Sequence, residues 1–398
     1  MPTTVRRRAG NSAAHSASMA IDGRLAEALE HAASWLPDSL AMVLGGSHAS
    51  GEAVWIRTVR GEVCLSDIDL YAVFAAEPER AASADRAASA MPGLELRLAQ
   101  LGFLGPLELG LHTRSEWERL PARPATLELR RHGRVIHGDE SAREWLPDYR
   151  PGDVPAEEIL LLLENRGFEL LKARWPLRSD DPFAALRRRH SVYKTALDLA
   201  AVADLRSGRW EDGAEARVRV ARDLASRAVE EPPWDSALAW RRGVVPDDDE
   251  AERDWWRTSR AWVREWRSTA LGTAQGLEFD EIALRAARRA RLRRRLRLAL
   301  RPGPRAGRRA PAVSRLRFAV PGTPQHRLNA SAAALLAALV ELDTSSARRA
   351  EIERRLARVL ARLGVVPAGL EVGRAARGLI AAWESWILEV PRETGAGS

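Results

Sequence analysis

Two rhythms run along the chain and change over near residue 150. Before it, short segments alternate apolar and polar residues at every second position, the period of a strand with one buried face. LAMVL (40–44), LSDIDLYAVF (65–74), LELRLA (94–99), LELGLHT (107–113) and TLELRRHGRVIHGD (126–139, turning at Gly133) predict strands. Between them, Ile21, Leu25, Leu29, Ala33 and Leu36 recur at helical spacing until Pro37-Asp38. The alanine-rich segment from Pro78 to Met91 predicts a second helix, ended by Pro92-Gly93. Residues 53–65, AVWIRTVRGEVCL, alternate as well and turn at Arg60-Gly61, so a short hairpin or an extended loop is expected.

After Pro155 the apolar residues recur every three or four positions. EEILLLLENRGFELLKARW (157–175), Phe183 to Leu205 and Ala214 to Ala228 predict buried helices. Trp255, Trp262 and Trp266 share one helical face, which suits an aromatic core seam better than a base-stacking platform. Asp247-Asp248-Asp249, ahead of that helix, predict an exposed loop. Further amphipathic helices are expected over Ser331 to Leu342, Ser346 to Leu363 and Gly373 to Val390. The pattern therefore predicts an α+β chain. A mixed β-sheet flanked by helices occupies 21–150 and a helical domain 151–300, with a Pro/Gly linker over 301–317 and closing helices over 318–398.

Composition changes this picture in few places. With 398 residues and 45% hydrophobic content, two or three well-filled cores are affordable. No apolar run is long enough to cross a membrane. Residues 1–20 are basic and rich in small residues but lack an apolar centre, so they predict a disordered lead-in, not a secretory signal. The single cysteine, Cys64, excludes an internal disulfide, suits a cytoplasmic setting, and is expected to pack rather than react. The net charge of +8 is unevenly spread. Fourteen arginines and no acidic residue fall between Arg285 and Arg317, leaving the remainder net acidic. Residues 285–311 could meet anionic lipid or nucleic acid phosphates, or could be a solvated helix and joint.

The chemistry concentrates between residues 40 and 74. Asp67 and Asp69 alternate with Ile68 and Leu70, so both carboxylates share one strand face and apolar side chains the other. Two like charges so close repel, and a divalent cation removes that penalty. Upstream, Gly45-Gly46-Ser47 follows an apolar strand, and glycine there lets backbone approach a phosphate closely.

Gly46-Ser47, then Gly51-Glu52, then Ser66-Asp67-Ile68-Asp69-Leu70 resembles the signature of the polymerase β-type nucleotidyltransferase superfamily, in particular its small-molecule members with a C-terminal helical domain. The gap between the two halves of the signature is longer here than in compact members, by the segment 53–65. The resemblance implies a nucleotidyltransferase sheet and transfer of a nucleoside monophosphate from a nucleoside triphosphate, such as ATP, to a hydroxyl. It implies Mg²⁺ held by Asp67, Asp69 and a third carboxylate, with Gly45, Gly46, Ser47 and Glu52 at the nucleotide. Glu108 is the preferred third carboxylate and Glu95 the alternative. Helical-domain side chains close over the nucleotide in such enzymes, which nominates Arg166, Tyr193 and above all Lys194, although each also fits a solvated helix face. The acceptor would be a small molecule, with RNA or protein as alternatives. A different class of function, a noncatalytic nucleotide-binding regulator on the same fold, is the competing expectation.

Overall fold

A computed structural model describes residues 22–175, 181–225, 230–271, 324–344, 349–363 and 376–381. They form an α+β chain in two compact units. One contains the described residues up to Pro121 together with Glu128–Asp148, the other Ala122–Leu127 together with the described residues from Tyr149 onward.

The first unit is built on four strands, β1 (Ser39–Leu44), β4 (Ile68–Phe74), β5 (Leu107–Thr113) and β6 (Arg134–Gly138), in the spatial order β5-β4-β1-β6. β1 pairs antiparallel with both β4 and β6, while β4 and β5 run parallel, so the sheet is mixed. One face is wholly apolar. Met42, Leu44, Ile68, Leu70, Ala72 and Phe74 pack there with Leu25 and Leu29 of α1 (Gly23–Ala33) and with Leu94 and Leu98 of α3 (Glu77–Gln100). The opposite face is divided. At one end Ala41, Val43 and Val73 pack with Trp117, Leu129 and Leu146, and the other end carries Asp69 and Glu108.

Residues 53–65 form a hairpin, β2 (Trp55–Thr58) against β3 (Gly61–Cys64), turning at Val59-Arg60, one position before the expected turn. Gly61 takes φ +115, a conformation only glycine adopts without strain. The base of the hairpin is closed by Leu65 N–H donating to the Val54 carbonyl (3.0 Å) and Val54 N–H donating to Ser66 Oγ (2.9 Å). Cys64 exchanges backbone bonds with Gly102 and Leu104, and the Arg24 guanidinium lies 4.6 Å over the Trp55 ring. The inserted residues therefore leave and rejoin the sheet at one place.

Two expected strands are helical. LELRLA belongs to α3, which continues through Pro92 to Gln100. Leu94 and Leu98 are buried whereas Leu96 is 62% exposed, so the run satisfies the i, i+4 spacing of a helix face as well as a period of two. Burying that pair outweighs the backbone hydrogen bond forfeited at Pro92. Likewise TLELRRH lies in α5 (Pro124–His132), started by a proline at a position that needs no N–H and stopped before Gly133, and only Arg134–Gly138 is strand. Short helices α2 (Gly46–Ser50) and α4 (Arg114–Trp117) complete this unit.

The second unit is helical: α6 (Ala156–Arg174), α7 (Ala184–Arg206), α8 (Ala214–Leu224), α9 (Trp234–Arg241), α10 (Asp248–Leu271), α11 (Pro324–Thr344) and α12 (Arg349–Leu363). Trp255, Trp262 and Trp266 are buried, and the last two stack nearly parallel with centroids 5.8 Å apart. Indole N–H groups of Trp255 and Trp262 donate to the Leu170 and Leu163 carbonyls of α6, tying the two helices by apolar area and polar ends together. The acidic triplet is a helix start, not a loop. Asp247 Oδ1 accepts from Glu250 N–H at 2.7 Å, and Asp248 pairs with Arg189. No described helix is long and apolar enough to cross a membrane. The lead-in 1–20 and the basic segment 285–317 lie outside the described residues.

Gly167 explains itself against this seam: a Cβ there would stand 2.7 Å from Trp262 Cζ2. Gly167→Ala is expected to lose roughly 1–3 kcal/mol by overpacking, despite alanine's better helix propensity. Urea denaturation checks this, and an unchanged midpoint would mean that the indole can move aside.

Candidate functional site

The site forms where β1 ends and β4 and β5 begin. β1 runs out at Leu44, and Gly45 N–H donates to the Asp69 carbonyl at 2.7 Å, extending the β1–β4 ladder by one bond. Gly46 then turns with φ +60. A Cβ on Gly46 would lie 2.2 Å from Asp69 Oδ2, so this backbone sits directly on the carboxylate. No other residue type allows that approach. Ser47 follows, half-buried, and its carbonyl accepts from Glu52 N–H at 2.7 Å, which folds Gly51-Glu52 back onto the turn.

Asp69 is in register with Glu108 across the parallel β4–β5 pair. In-register residues of neighbouring strands point to the same face with about 4.8 Å between strands. Asp67 lies two positions before Asp69, just ahead of β4, and is held by the chain beneath it. Ile68 N–H donates to the Pro106 carbonyl at 2.9 Å, and a Cβ on Gly105 would be 2.0 Å from the Ser66 carbonyl oxygen and 2.9 Å from Asp67 N. Asp67, Asp69 and Glu108 are half-buried, as are Gly46 and Ser47. A ligand can reach them, yet water screens them less than on an open surface. Among the described residues, no three side chains of His, Cys, Asp or Glu are grouped so as to hold a metal ion by themselves. A hard cation needs no such cage where one or two carboxylates are completed by substrate phosphates.

The remaining expected residues fall elsewhere. Glu95, the alternative third carboxylate, is exposed on helix α3 and shares no strand face with the aspartates. Arg166 pairs with Asp198 within the helical unit. Tyr193 is fully buried and donates its hydroxyl to Asp254 at 3.0 Å, an internal tie. Burial, with the Asp254 charge second, pushes its phenol far up and keeps it neutral. Lys194 is half-buried on α7 of the same unit.

Three neighbours escaped sequence reasoning. Gly105 sits against Ser66 and Asp67. Arg134 pairs with Leu44, and its Nε donates to the Ala49 carbonyl beside the glycine turn. His112 alternates with Glu108 on β5, and that alternation was the signal available for it. Behind the site, His48 and Cys64 are buried 3.7 Å apart, and burial pushes the thiol up to about 12, so Cys64 packs and does not react.

No protein-family model matches the chain, and neither does any curated protein. The functional case therefore stands on the geometry of β1, β4 and β5.

Burial holds His112 down to about 4, with the Glu116 charge raising it and Arg80 lowering it, and burial also lowers His48. Below about pH 6.5 the unfolded imidazoles bind protons that the folded ones refuse, so stability falls as pH drops from there toward 4. His112 contributes roughly 3 kcal/mol to that fall. Denaturant midpoints of the wild type and His112→Phe at pH 7.5 and 4.5 test it: the variant should lose less, and parallel losses would contradict the assignment.

Proposed function

We propose that the first unit is a magnesium-dependent nucleotidyltransferase, which moves a nucleoside monophosphate from a nucleoside triphosphate, such as ATP, to an acceptor hydroxyl. One observation carries the reading: the Gly46 backbone rests on the Asp69 carboxylate, while Asp69 stands in register with Glu108. An apolar interior gives no reason to set a left-handed glycine turn against two in-register carboxylates on a half-exposed sheet end. The resemblance of Gly46-Ser47 and Asp67-Ile68-Asp69 to the polymerase β-type signature supports the same reading. The closed base of the β2–β3 hairpin removes the long gap as an objection.

The residues present fit the metal, since Asp69 and Glu108, in register, offer hard oxygens beside the Gly46 backbone, substrate phosphates would complete the set, and Asp67 lies two positions before Asp69. Magnesium, when bound, supplies charge neutralisation on the phosphates and a lowered pKa for the attacking hydroxyl. Half-buried Gly46 and Ser47 would meet the phosphate chain close to Asp69, Ser47 with its hydroxyl, whereas Gly45, buried against Tyr71 and Leu129, only sets the turn. In the reaction the acceptor oxygen bonds to the α-phosphorus and the bond from that phosphorus to its bridging oxygen breaks. Pyrophosphate leaves with the electron pair, and a Glu108 carboxylate oxygen takes the hydroxyl proton and returns it to solvent. A small molecule is the favoured acceptor.

The test is incubation with labelled ATP, CTP, GTP and UTP against acceptor pools, reading nucleotidyl adducts by mass spectrometry. Asp69→Asn should lower transfer by at least about a hundredfold, the equivalent of several kcal/mol of lost charge stabilisation. Gly46→Ala should lower it as well by displacing the carboxylate, and chelation of magnesium should abolish it. Undiminished turnover in Asp69→Asn would remove the proposal.

A further inference from the structure

In-line displacement brings the attacking oxygen in opposite the leaving pyrophosphate. On the proposed function, the pyrophosphate lies at Gly46 and Ser47, on the β1 side of Asp69. With the strand order β5-β4-β1-β6, the opposite side is β5, an edge strand. Beyond Glu108, the same face of β5 continues with Gly110 and His112, in register with Tyr71 and Val73.

Gly110, half-exposed, carries no side chain between Glu108 and His112. A Cβ there would stand 2.8 Å from Tyr71 Cδ1 and 3.1 Å from His112 Nε2, so both rings lean over bare backbone. Trp117 backs the two rings, at 5.7 Å from Tyr71 and 5.6 Å from His112 between centroids. His112 is 5% exposed, and its Nδ1 has no hydrogen-bond partner among the described residues. An unpaired buried ring nitrogen costs free energy, and a phenyl ring would fill the same space without that cost. A buried lone pair is tolerated better than a buried unpaired N–H, which favours the proton on Nε2, the nitrogen over Gly110. The packing alone does not account for a histidine here.

We propose that Gly110, Tyr71 and His112 form the acceptor subsite, in which His112 Nε2–H donates to an oxygen of a polyol-like acceptor and holds the attacking hydroxyl beside Glu108. This rests on the nucleotidyltransferase reading. The subsite suits an oxygen-rich, uncharged group, because it offers a neutral donor and ring edges, and the two charges that reach His112 besides Glu108, those of Glu116 and Arg80, are of opposite sign.

The probe is Mg·ATP with full-length protein, in water and in concentrated glycerol. Water as acceptor gives AMP, glycerol gives adenylyl-glycerol, and each releases one pyrophosphate. His112→Phe should lower the ratio of glycerol adduct to AMP by about tenfold, the worth of one lost hydrogen bond to substrate. Its affinity for Mg·ATP by titration calorimetry should stay within about twofold of the wild type. Gly110→Ala, which pushes the Tyr71 and His112 rings aside, should lower the ratio too and carries the test if His112→Phe does not fold. An unchanged ratio in the variants, or AMP without adduct in the wild type, overturns the subsite. So does a loss of Mg·ATP affinity in His112→Phe as large as the loss in ratio. A wild type that neither binds Mg·ATP nor releases pyrophosphate overturns the parent reading instead, and the subsite with it.

Discussion

The closeness of Gly46 to Asp69 is the constraint on which the first unit turns. A carboxylate oxygen lies where any side chain at Gly46 would begin, and the backbone there is left-handed. Both conditions select glycine, and they fix the end of β1 against the middle strand at the place where β4 meets β5. The register of β4 with β5 then brings Glu108 alongside. Sheet, turn and carboxylates are thus one arrangement, since moving any of the three strand ends would separate the others.

Around that point the unit spends its apolar residues on rigidity. The covered face of the sheet is continuous from α1 to α3, and the opposite face is filled only at the far end by Trp117, Leu129 and their neighbours. The near end is left polar and half-open. The hairpin between the glycine turn and the aspartates does not loosen this, because Val54, Leu65 and Ser66 close its base and Phe103 and Arg24 hold its side. A rigid frame with an unfilled polar corner is what holding a charged ligand in one geometry requires.

Much of this was legible in residues 40–74, for a physical reason. β4 is a central strand with one face under helices, so Ile68 and Leu70 had to be apolar and Asp69 had to point away. The same rule misled at Leu94, Leu96 and Leu98. Leucines two apart also contain an i, i+4 pair, and only the tertiary contact with α1 decides between strand and helix. Leu127 and Leu129 repeated the ambiguity in α5. Glu108 could be preferred over Glu95 only by a family resemblance, because parallel pairing joins residues far apart in the chain. His112, Gly105 and Arg134 needed the fold itself. Each matters through what it faces, and a single sequence does not encode that at short range.

The most direct measurement is diffraction from crystals soaked with Mn²⁺ and a nonhydrolysable ATP analogue. The account predicts an anomalous peak about 2.1 Å from carboxylate oxygens of Asp69 and Glu108, with the analogue's phosphates against Gly46 and Ser47. Metal and phosphates bound elsewhere, or the two carboxylates turned apart with the analogue present, would contradict it.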